Sequence, residues 1–401
     1  MIPVAEAQER ILSVLRPLPA ETVSLAAAHG RVLAEDVYAR RTQPPVDLSA
    51  MDGWAVRSVD VAKVPVSLAI VGEAPAGGAH AGTVGPGEAV RIFTGGPLPQ
   101  GTDCVVIQEN TTYDDTTVTV SEQAESGLFV RPAGLDFRNQ EIGLNAGRHL
   151  TSRDIGLAAA MNIPWLSVRR RPRVALLATG DELVRSGEPI GPNQIVASNS
   201  LSLAALIETA GGEAFDLGIA RDDRDSLSVM AAGAMGADML VTIGGASVGD
   251  HDLIRDVLGD DGLDVDFWRI AMRPGKPLIF GAIGATPMLG MPGNPVSSMV
   301  CGLIFLRPAL FRLLGRSDPP LPTRSVRLGI DLDVNDQRQD YLRARLVADG
   351  HDGWHAMPFG KQDSSMISRL AAADCLIVRA PHAPACSAGD TVTVLPLADL
   401  C

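Results

Sequence analysis

The stretch 242–252, TIGGASVGDHD, places anion-holding and cation-holding groups side by side. It follows the apolar run Met239-Leu240-Val241, so it lies where a strand gives way to a loop. Gly244, Gly245, Gly249 and Ser247 let backbone N–H groups come close to an oxyanion, because glycine adds no Cβ to block the approach. Asp250 and Asp252 supply the hard oxygens that a divalent cation such as Mg²⁺ takes. A loop with both suits a substrate carrying phosphate or another oxyanion. Two loops of similar character follow the same pattern, TGDEL at 179–183 and MPGNP at 291–295.

Each remaining candidate has a plainer reading beside the chemical one. Asp181 and Glu182 follow a strand-like run, where they can serve a ligand or cap a helix. Asp222 and Asp223 in RDDRD invite the same two readings. Arg273 and Lys276 flank a Pro-Gly turn and can converge on one anion, or stand as two solvated charges. Pro292 and Pro295 fix a tight turn, and Asn294 is placed to cap the helix that follows. GASVG also matches a nucleophile elbow, with Ser247 as nucleophile and Asp264, His351, His355 and His382 downstream. Crowding by Asp250 and Asp252 argues against that hydrolase reading, since acids destabilise a developing oxyanion. Asp52 in AMDGWA, the glycine- and proline-rich loop 93–101, an ion pair between Arg131 and Asp136, and the polar run 361–369 complete the set.

The elements that position these residues are legible in the pattern. From 173 to 315, strand-like runs (173–180, 213–220, 237–245, 276–283, 285–291) alternate with helix-like ones (199–212, 223–236, 251–259, 294–314). That order predicts an α/β domain with a parallel sheet wound on both faces. Residues 46–145 are rich in Gly, Pro, Val and Thr and predict an inserted β domain; 20–45 and 146–172 flank it as an elongated connector. Residues 1–19 carry Val4, Ala7, Ile11 and Leu15 on one helical face, and after a proline-rich link 324–401 returns to short strands.

At 401 residues the chain is long enough for two to four domains. A net charge of −13 disfavours nonspecific binding to nucleic acid. Five scattered cysteines without a CxxC pair, no leader pattern and no run of 18 apolar residues together predict a reduced, cytoplasmic protein with no membrane span.

Taken together, AMDGWA, FTGGPLP, TGDEL, GGASVGDHD, RPGKP and MPGNPVSS resemble the molybdenum-insertion enzymes of molybdenum cofactor synthesis, the MoeA family with its gephyrin E-domain and plant relatives. The resemblance implies a homodimer whose subunits combine a molybdopterin-binding α/β domain, the inserted β domain, the connector and a C-terminal β-barrel. It implies transfer of molybdate into adenylylated molybdopterin with release of AMP, assisted by Mg²⁺ or alternatively Zn²⁺. Molybdopterin adenylyltransferase and proteins that mature molybdoenzymes are the implied partners. By position, Asp52, Asp136, Glu182, Asp222 and Asp252 become the catalytic acids, and Glu182, Asp222, Asp250 and Asp252 the metal ligands. Thr94, Arg131, Gly244, Gly245, Ser247, Gly249, Pro292, Asn294 and Pro295 fall to the pterin substrate. Arg273, Lys276, Arg343 and Ser364 fall to molybdate, and Asp363 departs from the family's glycine there. A molybdopterin-binding scaffold or an adenylyltransferase-like relative is the alternative function.

Overall fold

The computed structural model describes residues 1–245, 259, 263–348, 350 and 353–400. At its centre is a six-stranded sheet in the order 213–220, 173–179, 239–243, 286–291, 277–283, 263–269. The first four strands run parallel. In Arg173–Thr179 every residue after Arg173 is buried, as expected of a strand covered on both faces. Successive side chains go to opposite layers. Val174 and Leu176 join the core formed with the helices Val4–Val14, Ser198–Thr209 and Pro295–Leu314, whereas Ala175 and Leu177 pack with Leu227 of the helix Arg224–Ala232.

The sheet is not wholly parallel. Pro277–Ile283 and Thr286–Met291 form an antiparallel hairpin, and Leu263–Arg269 adds antiparallel at the edge. Only Gly284 and Ala285 separate the paired residues Ile283 and Thr286, and a two-residue link cannot make the crossover that parallel strands need. Gly284 sits at φ 57, a left-handed conformation open to glycine.

Pro295–Leu314 is apolar enough to span a membrane, yet its apolar window is 89% buried inside the fold. It is the core helix of the α/β domain. Residues Gly302–Leu306 adopt a π-helical turn just before Arg307–Leu314. Pro308 has no N–H to donate back along the helix, and the widened turn accommodates that loss.

The flanking modules have cores of their own. In the inserted domain, six strands order as 104–107, 53–56, 88–92, 66–74, 117–120, 111–113 around Trp54, Leu68, Val106 and Val118. The connector is tied by antiparallel pairing of Ala20–Ser24 with Trp165–Arg169, over a cluster that includes Leu33, Leu144, Leu150 and Met161. At the C-terminal end, Gln339–Ala348 pairs with both Trp354–Pro358 and Cys375–Arg379, which closes a five-stranded barrel through Arg324–Leu328 and Thr391–Pro396. Closure leaves no open edge among those strands. The barrel joins the α/β domain through Met272–Arg273, which runs parallel to Gln339 and Asp340.

The connector helix Ser152–Ala160 begins with a capping box in which Asp154 accepts from the Thr151 N–H and hydroxyl, each at 2.8 Å. Arg148 Nε donates to the same carboxylate at 2.8 Å. Burial works to raise the Asp154 pKa, but the Arg148 and Thr151 donors outweigh it and hold it below the usual carboxylate range. A depressed folded-state pKa means stability that is present above about pH 3.9 and is lost as pH falls through the folded value. Asp154→Ala is therefore expected to cost about 1–2 kcal/mol near neutrality, as loss of a helix cap does. In urea denaturation the gap from the unmodified protein should narrow as pH falls into the acid range.

Candidate active site

In an open α/β sheet, neighbouring strands whose connections leave in opposite directions open a crevice at their carboxyl ends. Here that point lies between Arg173–Thr179, which leads outward to 213–220, and Met239–Ile243, which leads toward 286–291. The two loops leaving it touch. A Cβ on Gly244 would sit 2.7 Å from the Thr179 carbonyl oxygen, and Gly244 has φ 94, so both space and conformation require glycine. Gly245 follows at φ 65 and Gly180 at φ 146.

A cleft of about 980 Å³ opens at this switch point. Its walls include Gly180 and Glu182 from the first loop, Asp222 from the second, Gly244 and Gly245 from the third, and Pro292, Asn294 and Pro295 from the fourth. Asp181 links the first two, accepting the Asp222 N–H at 3.2 Å. No helix follows TGDEL; Leu183–Val184 pairs with Ile195–Val196 instead, so Glu182 is not a helix cap. Capping falls to Asp223, which accepts the Ser226 N–H at 2.8 Å and leaves its neighbour Asp222 on the cleft wall.

The fourth loop ends at a helix whose N-terminus faces the cleft, with Pro295 at its start. The helix dipole favours an anion there. Asn294 occupies the N-cap position, but its side chain makes no capping bond. The turn is held from outside the helix, where Asn199 Nδ2 donates to the Gly293 carbonyl at 2.8 Å and Val296 N–H donates to Ser364 O at 3.0 Å.

The polar lining also includes Thr179, Ser198, Asn199, Ser200, Ser297 and Ser365, which pattern reading passed over. The Thr179 hydroxyl is buried and without a hydrogen-bond partner among the described residues. The clustered hydroxyls and amide of 198–200 at a helix start were the available signal, since such residues favour first turns and ligand edges alike.

The cations divide differently from the expectation. Arg273 does not converge with Lys276 on one site; its guanidinium is engaged by Asp340 of the barrel, with Asp336 at 3.4 Å and Asn335 at 3.3 Å. The backbone pairing of Arg273 with Asp340 draws the side chain that way. Lys276 is half-buried beside Pro277 of the cleft wall, and its ammonium has no hydrogen bond or ion pair among the described residues. Arg343 is 1% exposed. It donates from Nε to Gln362 Oε1 at 3.0 Å and from its guanidinium to the Asp363 carbonyl at 2.7 Å, so it braces the 362–365 turn. From that turn Ser365, rather than Ser364, lies on the cleft wall.

Asp52, Thr94, Arg131 and Asp136 are in the inserted domain and do not line this cleft in the single chain. Asp52 accepts the Thr94 N–H at 2.7 Å and its hydroxyl at 2.8 Å, bonds that hold the exposed carboxyl below its ordinary pKa. Arg131 and Asp136 are both exposed, and the expected ion pair between them is not found among the described residues. Neighbouring backbone instead holds Asp136, whose N–H donates to Gln43 O at 3.0 Å. Ser247, Gly249, Asp250 and Asp252, with His351, lie outside the described residues.

An α/β ligand domain with an anion-accepting crevice, carrying an inserted β domain and a terminal barrel, defines a multidomain class that binds a sizeable anionic ligand. Profiles described as the MoeA N-terminal region (domain I and II), a probable molybdopterin binding domain and the MoeA C-terminal region (domain IV) match residues 2–162, 175–312 and 325–397. A Nostoc protein named molybdopterin molybdenumtransferase is 37% identical over 94% of this chain and 88% of its own. Molybdopterin molybdenumtransferase 2 of Mycobacterium tuberculosis is 35% identical, over 93% of this chain and 94% of its own. The crystal structure of a molybdopterin biosynthesis MoeA protein from Pyrococcus horikoshii superposes with a TM-score of 0.85 at 31% identity, covering 99% of both chains. The chain belongs to the MoeA family of molybdopterin molybdenumtransferases.

Gly244→Ala tests the switch point. The left-handed φ and the approach to Thr179 predict a cost of about 1–3 kcal/mol in a denaturant melt, because the first and third loops must part. The variant should remain folded and lose pterin binding in a fluorescence titration.

Proposed function

We propose that this chain inserts molybdate into adenylylated molybdopterin and releases AMP, acting as a molybdopterin molybdenumtransferase. The observation that carries this reading is the cleft, where Gly245 and the N-terminus of the helix at Pro295 stand beside the carboxylates of Glu182 and Asp222. Its volume of about 980 Å³ suits a nucleotide-linked pterin. The substrate brings a pyrophosphate-like bond and an oxyanion partner, so charge must be neutralised on both sides of the reacting centre.

The residues divide that work. The Gly245 N–H and the dipole of the helix that starts at Pro295 hold the phosphate oxygens, and Lys276 adds positive charge for molybdate beside the same wall. Glu182 and Asp222 offer hard oxygen donors, which suit Mg²⁺, an ion that binds one or two carboxylates together with substrate phosphate. Asp250 and Asp252 are assigned to the same ion. Bound there, the ion would neutralise charge on the phosphates as the bond to AMP breaks. Water cleaves the phosphate–AMP bond, and the molybdenum of the cargo joins the two dithiolene sulfurs as one of its oxo groups leaves as water with the two thiol protons, its oxidation state unchanged.

A homodimer completes the reading: Asp52, Thr94, Arg131 and Asp136, remote from the cleft in one chain, are assigned to the cleft of the partner. Adenylylated substrate is received from molybdopterin adenylyltransferase, and the product passes to maturing molybdoenzymes. The cytoplasm is the compartment this implies, in keeping with described cysteines that are all free thiols.

Molybdate-dependent AMP release from adenylylated molybdopterin, with Mg²⁺ present, is the direct test. Glu182→Gln and Asp222→Asn are expected to lower release at least a hundredfold while leaving thermal melts unchanged, since both side chains lie at the cleft surface. Pterin binding without AMP release in the unmodified protein, whatever the oxyanion or cation, would make the chain a carrier. Lys276→Ala should raise the molybdate concentration for half-maximal release more than the pterin concentration; equal shifts would contradict its assignment.

A further inference from the structure

The turn that carries Asp52 is held by a side chain from the next strand of the inserted domain. Arg91 of Glu88–Ile92 lies directly opposite Trp54 of Gly53–Val56, so the two side chains share one face of the sheet. The Arg91 guanidinium carbon stands 5.2 Å from the Trp54 and Phe93 ring centroids and 5.7 Å from that of Tyr113. The attraction of a cation to those rings holds it in place. Its donors then go to the turn: one terminal nitrogen donates to Gln108 Oε1 at 2.7 Å, and the other to the Gly53 carbonyl at 3.4 Å.

Gln108 closes the circuit. Its N–H donates to the Asp52 carbonyl at 3.2 Å, and its own carbonyl accepts the Thr111 hydroxyl at 2.8 Å. That hydroxyl in turn accepts the Trp54 Nε1–H at 3.2 Å. Two successive carbonyls, those of Asp52 and Gly53, are thus fixed from Gln108 and Arg91. Gly53 must be glycine for the turn to lie this close, because a Cβ there would sit 2.0 Å from the Val106 carbonyl oxygen. With its backbone held, Asp52 gives Oδ1 to the Thr94 N–H and hydroxyl, while Oδ2 has no hydrogen bond among the described residues. Arg91 itself has no hydrogen bond or ion pair to an acid among the described residues, so its hold on Asp52 runs through the backbone.

We infer that Arg91 is the positioning residue of Asp52: set among three aromatic rings, it fixes the 52–53 turn through Gly53 and Gln108, so that Asp52 Oδ2 is presented in a set direction for the reaction. The inference rests on the proposed function, which assigns Asp52 to the cleft of the partner subunit. It adds a residue that acts on the rate without touching either substrate.

The test reads kcat and both KM values from AMP release in Arg91→Lys, Gln108→Leu and Gln108→Glu, each checked by a thermal melt. Lysine keeps the charge, but its point-like ammonium lacks the fixed fork that spans two oxygens. Arg91→Lys is expected to lower kcat about tenfold or more with both KM values within about twofold, because a misaimed acid costs rate and leaves binding intact. Gln108→Leu should do the same, and Gln108→Glu, which keeps an acceptor oxygen for Arg91, should restore most of that loss. In an Asp52→Asn background, followed over long incubations, Arg91→Lys should cost less than about twofold, since the acid it positions is gone. Undiminished kcat in Arg91→Lys overturns the inference, as does a Gln108→Glu variant as slow as Gln108→Leu. An equal loss in the Asp52→Asn background, or one explained by a lowered melting temperature, makes Arg91 merely structural and overturns it too. If the unmodified protein releases no AMP, the proposed function falls; if it does and Arg91→Lys matches it, only this inference falls.

Discussion

The contact between Gly244 and the Thr179 carbonyl sets the geometry on which the site depends. Two parallel strands end side by side while their chains leave in opposite directions, so the loops after them must diverge from nearly the same point. A side chain at Gly244 would force those loops apart by occupying the space of the Thr179 oxygen. Without one, the strand ends stay in register, the Gly244 N–H reaches the Met291 carbonyl at 3.1 Å, and Gly245 is left at the cleft wall. The acid loops at 181–182 and 222 are then brought to the same mouth, joined by the bond from Asp222 N–H to Asp181.

The remaining modules act on this crevice through a few long-range bonds. Asn199 and Ser364 each hold one side of the turn that starts the core helix, the first from a neighbouring helix and the second from the barrel. Arg343 carries that restraint into the barrel's interior. A guanidinium buried there costs heavily unless its donors are satisfied, and here the Gln362 oxygen and the Asp363 carbonyl accept two of its bonds. The same economy explains Arg273: once Met272–Arg273 pairs with the barrel strand, the carboxylate of Asp340 is its nearest partner. Arg273 thus serves the barrel, while Lys276, three positions on, stands next to Pro277 of the cleft wall.

Local chemistry made most of the α/β domain legible. Glu213–Ala220 has the bounds its apolar run suggested, and Arg173–Thr179 and the helices Ser198–Thr209 and Arg224–Ala232 differ from their patterns by a few terminal residues. Leu263–Arg269 escaped notice because it alternates acids with apolar residues at an edge, where burial is incomplete. Glu182, Asp222, Gly244, Gly245, Pro292, Asn294 and Pro295 all line one cleft, as loops at strand ends can be expected to do. The residues whose surroundings the pattern left open share a cause. Whether Arg273 or Ser365 faces a ligand depends on what the barrel strand and the 362–365 turn place opposite it, and these partners are tens of residues away in the chain.

The amino-acid sequence by itself determined the alternation of strands and helices, the glycine and proline loops between them, and the family that those loops mark. These follow from local rules: burial periodicity, the reach of glycine into left-handed backbone, and the missing N–H of proline. Only the tertiary structure decided that the sheet ends in an antiparallel hairpin, that Arg273 serves the barrel, that Asp223 rather than Asp222 caps its helix, and that Ser365 reaches the cleft. The reason is physical. A side chain's partner is chosen by whatever group the fold brings within about 3 Å of it, and spacing along the chain does not fix that distance.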